Sequence, residues 1–518
     1  TYIAPQNGND ITLTIDANIQ QIAEKYLKQA CEEYDCQEGG NVIIMDPNTG
    51  DILAMATYPD YNLNDPYTLE FVPDDEWDKM SGDEQYALQQ QTWNNKAITY
   101  TYEPGSVFKI ITAAAGLEED LIEPDTPNEF NCDGYELVSG VRINCSDTSG
   151  HGKLSLRDAL KYSCNPAFMQ LGKKIGAATL YRYYNAFGFF DTTDFADIGD
   201  SGSSGEAGSI FWNLENVKDV ELATMSFGQR FKITPLQMIM AVGAVANDGV
   251  LMQPRIAKEI KNTDTGAVTT IEPTEVRQVI SEDTADELLD MLKTVVDSGT
   301  GSYAQVKGYS IAGKTGTSEP DVSNEDAGYV ASFAAISPVE SPEVVILVTL
   351  YGLTGERRSG SSVAAPVVSQ ILSEVLPYLE VPSDTTDSDT SEETTTLSNV
   401  KNKTAAEAKK IIENQGFRCE ISGNNEDIVT EQMPVAGTEL IEDSVVMLYT
   451  EDNDVRISQE VPNLKGMTLS EARAALSNKN LNVKYTGSGK VTSQDIAAGT
   501  SVEEGTIVNI VLKEEIQE

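Results

Sequence analysis

The 518-residue chain predicts an α+β protein, a large domain built on an antiparallel sheet and followed by two small α/β modules. Three observations predict it. Asn41-Val-Ile-Ile-Met45 and Asp51-Ile-Leu-Ala-Met-Ala56 are apolar runs on either side of Asp46-Pro-Asn-Thr-Gly50, where every residue favours a turn, so they form a hairpin with one face buried. Helical patterns then separate this hairpin from strand-like runs at 309–317, 329–337 and 344–351. After a polar stretch at 381–396 the chain repeats itself, which marks separate modules.

In order, Ile11–Ile15 reads as a strand that passes through the capping residue Asp16 into an amphipathic helix with Ile19, Ile22, Ala23, Leu27 and Ala30 on one stripe. Residues 60–100, rich in Asp, Asn, Gln and Tyr, read as irregular. Pro104 suits a first helical turn, which puts Ser106 at the start of the apolar helix running to Leu117. Tyr135–Ile143 alternates around Ser139-Gly140 as a hairpin does. Leu154–Leu160 is a short helix and Pro166 opens the next, leaving Ser163-Cys-Asn165 on the turn between them. Residues 185–220 are Gly- and Ser-rich and carry no pattern. Thr234–Ala246 is apolar nearly all round and therefore a buried helix. Ala285–Val296 is a further helix, and Ser362–Leu379 closes the domain, whose bounds are set at 1–380. The linker 381–396 holds one large apolar side chain, Val381, and reads as disordered and charge-extended. Beyond it Asn399-Val-Lys-Asn-Lys-Thr404 returns as Asn463-Leu-Lys-Gly-Met-Thr468, and Ala436-Gly-Thr438 as Ala498-Gly-Thr500, defining repeats at 397–452 and 457–515.

With 36 basic against 82 acidic residues the net charge is −46, which repels phosphate backbones and anionic lipid and excludes nucleic acid as a partner. No apolar run reaches 18 residues and no signal-peptide pattern opens the chain. The six cysteines include no C-x-x-C pair, so neither a zinc cluster nor a thioredoxin-type site is expected. Cys132 and Cys145 bracket the 135–143 hairpin and are either disulfide partners or free buried thiols. The single histidine, His151, has no nucleophile elbow near it and reads as a loop residue.

Ser106 and Lys109 are three apart, which on a helix puts them on one face, so the amine can bend back onto the hydroxyl. Burial at a positive helix N-terminus lowers a lysine pKa and makes it a base for a serine nucleophile. The quartet alone is common: Ser398-Asn-Val-Lys401 has it too, and there it reads as a strand edge. Ser163-Cys-Asn165 lies 57 positions after Ser106, and Lys314-Thr-Gly-Thr317 begins 151 positions after Ser163. On its turn Ser163 can pass protons and Asn165 can bond a substrate amide, although Asn165 in isolation reads as a helix cap. Gly313 and Gly316 let a second backbone approach the 309–317 strand, where an extended peptide adds as an extra strand.

These three motifs, with Ala54-Met-Ala-Thr-Tyr-Pro59, Glu103-Pro-Gly-Ser106, His151-Gly152, Thr234-Pro-Leu-Gln237 and Ala246-Asn-Asp-Gly249, resemble the class B penicillin-binding proteins over residues 10–378. The repeats resemble PASTA modules, the first without the Val-Pro opening seen at Val461-Pro462. The resemblance implies a transpeptidase domain like that of the serine β-lactamases, an antiparallel sheet flanked by helices plus a helical subdomain. It implies Ser106, Lys109, Ser163, Asn165 and Lys314 as catalytic residues, Thr315, Gly316 and Thr317 as substrate-binding, and no metal or organic cofactor. The implied reaction is D,D-transpeptidation of peptidoglycan stem peptides ending in D-Ala-D-Ala, with β-lactams acylating the same serine and other wall-synthesis or division proteins as partners. It further implies a membrane anchor and pedestal upstream of Thr1 and a place on the extracytoplasmic face of the cell membrane. Water as acceptor would make the protein a carboxypeptidase or β-lactamase, although the class A signature Glu-x-x-Leu-Asn is absent between the second and third motifs. A sensor of β-lactams or muropeptides and a wall-adhesion protein are the readings from other classes; the repeats serve either as wall binders or as spacers.

Overall fold

Two β-ribbons brought together from opposite ends of the first domain make its central sheet. The computed structural model describes residues 7–69, 71–195, 205–320, 328–383, 394–441, 444–451, 456–487 and 489–513. It divides into one unit ending at Asp384 and a second beginning at Thr385; most of the predicted linker, 384–393, lies outside the described residues. In the first unit β1 (Gly40–Met45), β2 (Ile52–Tyr58), β3 (Ala312–Ser318), β4 (Tyr329–Ser337) and β5 (Val344–Leu353) form an antiparallel sheet in the order β3-β4-β5-β1-β2. Residues alternate between the faces: Ile43, Met45, Leu347 and Ala334 join one apolar cluster, and Val42, Ile44, Val348 and Phe333 the other.

Helices cover both faces. α1 (Ala17–Glu33), capped by Asp16, packs with α6 (Ala365–Tyr378) on one side. On the other lie α2 (Lys109–Glu118), α3 (Asn165–Ile175), α4 (Pro235–Ala246) and α5 (Glu282–Ser298). Every residue of α2 before Glu118 and every residue of α4 is buried, as their apolar composition requires. Because β1 is central and roofed twice, all six of its residues are buried, not the alternate ones expected of a hairpin with one wet face.

Other elements differ in detail from expectation. The first strand, expected at Ile11–Ile15, spans Asn9–Leu13 and pairs with Ala257–Asn262 in a separate three-stranded sheet. Residues 60–100 are not wholly irregular: Gly82–Trp93 is a helix held at its start by reciprocal bonds between Ser81 and Glu84, a capping box that was legible as Ser-x-x-Glu. Ser398–Lys401 is a loop, not a strand edge. No helix among the described residues is long and apolar enough to cross a membrane.

In the second unit each repeat is a helix, Ala405–Glu413 or Leu469–Ser477, and a three-stranded sheet. The last strand, Val445–Thr450 or Ile507–Lys513, lies in the middle, parallel to one neighbour and antiparallel to the other. Asn482 exchanges two hydrogen bonds with Val445, at 2.7 and 2.9 Å, and so ties the repeats together.

Candidate active site

Ser106 stands on a single tight turn, Gly105–Phe108, that leads into α2. Gly105 has φ +55°, and a Cβ there would lie 2.6 Å from the Thr317 carbonyl oxygen; a Cβ on Gly316 would lie 2.8 Å from that of Pro104. Glycine at both positions therefore lets the serine turn and β3 touch backbone to backbone, which brings the first motif against the third. Glu103 reinforces the junction by accepting hydrogen bonds from the Arg230 N–H at 2.9 Å and the Ser318 hydroxyl at 3.3 Å.

The second motif arrives from the other side of the cleft. The helix Leu156–Lys161 ends, Ser163 takes a left-handed conformation with φ +56°, and Cys164 occupies the N-cap position of α3. That conformation is uncommon for a residue with a side chain. It is held by hydrogen bonds from the Ser163 and Cys164 N–H groups to the carbonyls of Leu160, at 3.2 Å, and Ala159, at 2.9 Å. Asn165 is thus the first residue of α3 and not its cap, and its side chain serves the cleft.

All eight expected site residues meet here. Lys109 Nζ contacts the Ser163 carbonyl oxygen at 2.7 Å, Asn165 Oδ1 at 2.8 Å and Ser163 Oγ at 3.1 Å. Lys314 Nζ reaches the same Ser163 Oγ at 2.9 Å and Thr315 Oγ1 at 3.1 Å. Thr317 Oγ1 accepts from the Gly360 N–H at 3.1 Å, and Gly316 lies against Pro104. The expected bend of Lys109 onto Ser106 is not what the structure holds: among the described residues no hydrogen bond joins Lys109 Nζ to Ser106 Oγ. Three oxygens across the cleft offer the amine better partners than one hydroxyl does. Thr300, whose hydroxyl lies 3.3 Å from that of Thr315, was missed; its only signal was the Ser298-Gly-Thr-Gly301 turn after α5.

Both lysines are fully buried. Burial pulls Lys109 from an ordinary 10.5 down to about 7. Lys314 is also driven well below its ordinary value, by burial first and by the neighbouring Lys109 second. A neutral Lys109 has two N–H bonds, which match the two acceptor-only partners, the carbonyl and the amide oxygen, and leaves its lone pair free to receive a proton. Among the described residues β3 is the outer strand of its sheet and pairs with no strand on its far edge, the edge a further strand would use.

All six cysteines are free, so of the two readings of Cys132 and Cys145 the structure holds free buried thiols. No C-x-x-C spacing announces a metal-ligating cluster, yet Cys132, Cys145, His151 and Cys164 converge immediately behind the second motif. Their wide separation in sequence hid them.

A serine on a helical turn, two desolvated lysines sharing one hydroxyl, and an open strand edge define an acyl-transfer site of the serine–lysine class. Residues 40–373 match the penicillin binding protein transpeptidase domain, and 395–452 and 459–514 match the PASTA domain, so the chain belongs to the penicillin-binding protein transpeptidase family. It is 33% identical over 518 residues, 99% of this chain and 67% of the relative, to stage V sporulation protein D of Bacillus subtilis. It is 32% identical to the peptidoglycan D,D-transpeptidase PbpA of Mycolicibacterium smegmatis, over 70% of this chain and 71% of that one. Penicillin binding protein 3 of Mycobacterium tuberculosis, solved in complex with aztreonam, superposes with a TM-score of 0.61 at 28% identity, covering 73% of this chain and 81% of that one.

Proposed function

We propose that the protein is a D,D-transpeptidase that cross-links peptidoglycan stem peptides through an acyl-enzyme on Ser106, and that β-lactams acylate the same serine. The observation that carries the reading is the shared hydroxyl: Ser163 Oγ lies 3.1 Å from Lys109 Nζ and 2.9 Å from Lys314 Nζ, in a cleft that excludes water from both amines. A donor peptide adds to β3 as a strand, its terminal carboxylate directed to Lys314, Thr315 and Thr317, and the anion restores the ammonium form that burial disfavours in Lys314. Ser106 Oγ attacks the penultimate D-Ala carbonyl while neutral Lys109 takes its proton. The ammonium so formed finds an acceptor for each N–H, Ser163 O, Ser163 Oγ and Asn165 Oδ1. The backbone N–H groups of Ser106 and Thr317 receive the oxyanion, a contribution of about 3 kcal/mol per donor in comparable sites. Ser163 then passes its proton to the departing D-Ala amine and takes in exchange the one held by Lys109, which returns to its neutral form, and an amino group of a neighbouring strand takes the acyl group by the same steps reversed.

The relatives named for D,D-transpeptidation and the antibiotic-bound structure support this reading, as does the pairing with PASTA repeats, which suits an enzyme working on the cell wall. Work at the extracytoplasmic face of the membrane, beside other wall-synthesis proteins, belongs to the same proposal. The test supplies a peptide ending in D-Ala-D-Ala together with an amine acceptor. Released D-Ala with a new amide product is expected; hydrolysed donor without transfer, or repeated turnover of penicillin, would make water the acceptor and the protein a carboxypeptidase or lactamase.

A further inference from the structure

Cys132, Cys145, His151 and Cys164 take no part in the acyl transfer, and each is held by a different piece of backbone. Cys132 ends the short strand Phe130–Cys132 and pairs with Gly152, which places His151 at its side. Cys145 follows the strand Val141–Asn144, its N–H bonded to the Gly134 carbonyl at 2.9 Å. Cys164 stands between Ser163 and Asn165 at the start of α3. The three sulfurs and one imidazole nitrogen all lie within 4.8 Å of one another, with His151 Nδ1 3.6 Å from Cys132 Sγ and 3.5 Å from Cys145 Sγ. A tetrahedral zinc bonded at about 2.3 Å to sulfur and about 2.0 Å to nitrogen sets adjacent sulfur and nitrogen ligands roughly 3.5 Å apart, which matches. The three cysteines are buried and the histidine half-buried. A disulfide would use two sulfurs and strand a third thiol beside an imidazole, whereas a four-coordinate metal uses all four groups.

We propose that these residues form a closed Cys3His zinc site that fixes the second catalytic motif. Three soft thiolates and an imidazole in tetrahedral array select zinc, and four protein ligands leave no open position, which makes the site structural. Binding displaces three thiol protons, and Zn2+ with three thiolates and neutral His151 carries a net charge of −1. Backbone N–H groups of Asp147 and Asn165 face the Cys145 sulfur and that of Ala167 faces Cys164, a ready outer shell for that negative charge. The His151 ring, stacked on Tyr162 with centroids 5.8 Å apart and planes 16° apart, is held with Nδ1 inward. The ligands are spaced C-x12-C-x5-H-x12-C, so no short metal-binding pattern appears. Bonded at Cys164, the metal ties the left-handed Ser163 and the Asn165 side chain, the two partners of Lys109, to the ends of the strands that carry Cys132 and Cys145. The metal site stands independently of the reaction; its effect on acylation rests on the transpeptidase reading.

The experiment uses the full chain, reduced, exposed to Zn2+ alone, desalted, and measured by elemental analysis. One zinc per chain is expected, falling well below one in Cys132→Ser and His151→Ala but retained in His151→Cys, which restores a fourth thiolate. Because a ligand variant could fail to fold, wild-type protein loaded with Co2+ provides a second measurement: intense visible bands of tetrahedral cobalt with thiolate-to-metal charge transfer are expected. Removing zinc should slow labelling by a fluorescent penicillin at least tenfold, and returning it should restore the rate. Protein that retains no zinc, cobalt spectra without thiolate ligation, or a disulfide among these cysteines in protein kept reduced overturns the metal site. Full zinc occupancy with labelling unaltered by its removal overturns the link to catalysis alone.

Discussion

Ser106 and Lys109 stand at the start of a buried helix with the lysine sealed from water among three oxygens, whereas Ser398 and Lys401, with identical spacing, stand in a loop with the lysine exposed. In the second quartet the working residue is Val400, fully buried, with its N–H bonded to Gln432 at 2.9 Å; Lys401 closes an Asx turn through Asn399. The same spacing thus meets helix, burial and acceptors in one place and none of them in the other, and only the first setting suits the proposed nucleophile and base. The sharpest test is the site of acylation. Ser106→Ala should take up no fluorescent penicillin, while Ser398→Ala should label at the wild-type rate and the labelled peptide should contain Ser106. An adduct on Ser398 would reverse the assignment.

The two lysines should part almost as far. Lys109→Ala removes the base and should slow acylation about 10²–10⁴-fold, and Lys109→Arg should not rescue it because guanidinium stays protonated. Lys401→Ala should change nothing that stopped-flow labelling can resolve. A Lys109→Arg variant at wild-type rate would mean that charge, not proton transfer, is what the position supplies.

Burial also predicts the pH profile of the first quartet. Lys109 titrates near pH 7, lowered from 10.5, so its neutral fraction, and with it acylation, should rise about tenfold per pH unit below 7 and level off above. The same shift makes the folded state bind fewer protons than the unfolded chain between about pH 7 and 10.5, so this group's contribution to stability rises with pH across that window. A flat acylation profile from pH 5 to 8 would remove Lys109 as the base.

Most of the sheet was legible, and so were the three motifs that the fold brings to one cleft, and for one reason: local chemistry agreed with the fold. Turn residues at 46–50, Pro104 and Pro235 each marked an element the structure holds. Long-range facts were not legible. Nothing local says that β1 will be roofed on both faces: α1, just before it in the chain, covers the face of Val42 and Ile44, but the face of Ile43 and Met45 is covered by α4 at Pro235–Ala246, far along the sequence. The Lys109 contacts depend on the left-handed turn at Ser163, which spacing does not encode, and the cysteine–histidine cluster joins positions 13, 6 and 13 apart. Gly82–Trp93 was lost because its few apolar residues form no stripe, although its capping box was in view.

Second-motif and third-motif contacts should matter less than the first quartet. Asn165→Ala removes one acceptor from Lys109, and Thr317→Val removes the hydroxyl that receives the Gly360 N–H. Each loss is worth about 1–3 kcal/mol, so acylation should slow roughly 5- to 150-fold without stopping. Complete loss in either variant, with the fold intact by circular dichroism, would promote that side chain to the level of Ser106.

The smallest effect should come from removing the second quartet altogether. A chain ending at Ser383 loses Ser398, Lys401 and both repeats but keeps every residue of the two apolar clusters around the catalytic sheet, the last of which is Val381. Ending nearer Tyr378 would cut Val381, which is buried against α6, so the longer stop is the cleaner test. The repeats have their own cores, centred on Leu397–Leu448 and Val461–Leu512, and need nothing from the sheet to bury their apolar side chains. Sites without shared partners add to within about 0.3–0.5 kcal/mol, so penicillin acylation of the truncated chain should stay within about twofold of the full chain. A larger fall in a truncation that melts cooperatively at the same temperature would mean that the repeats act on the active site, and the second quartet would then have to be reconsidered as more than a packing turn.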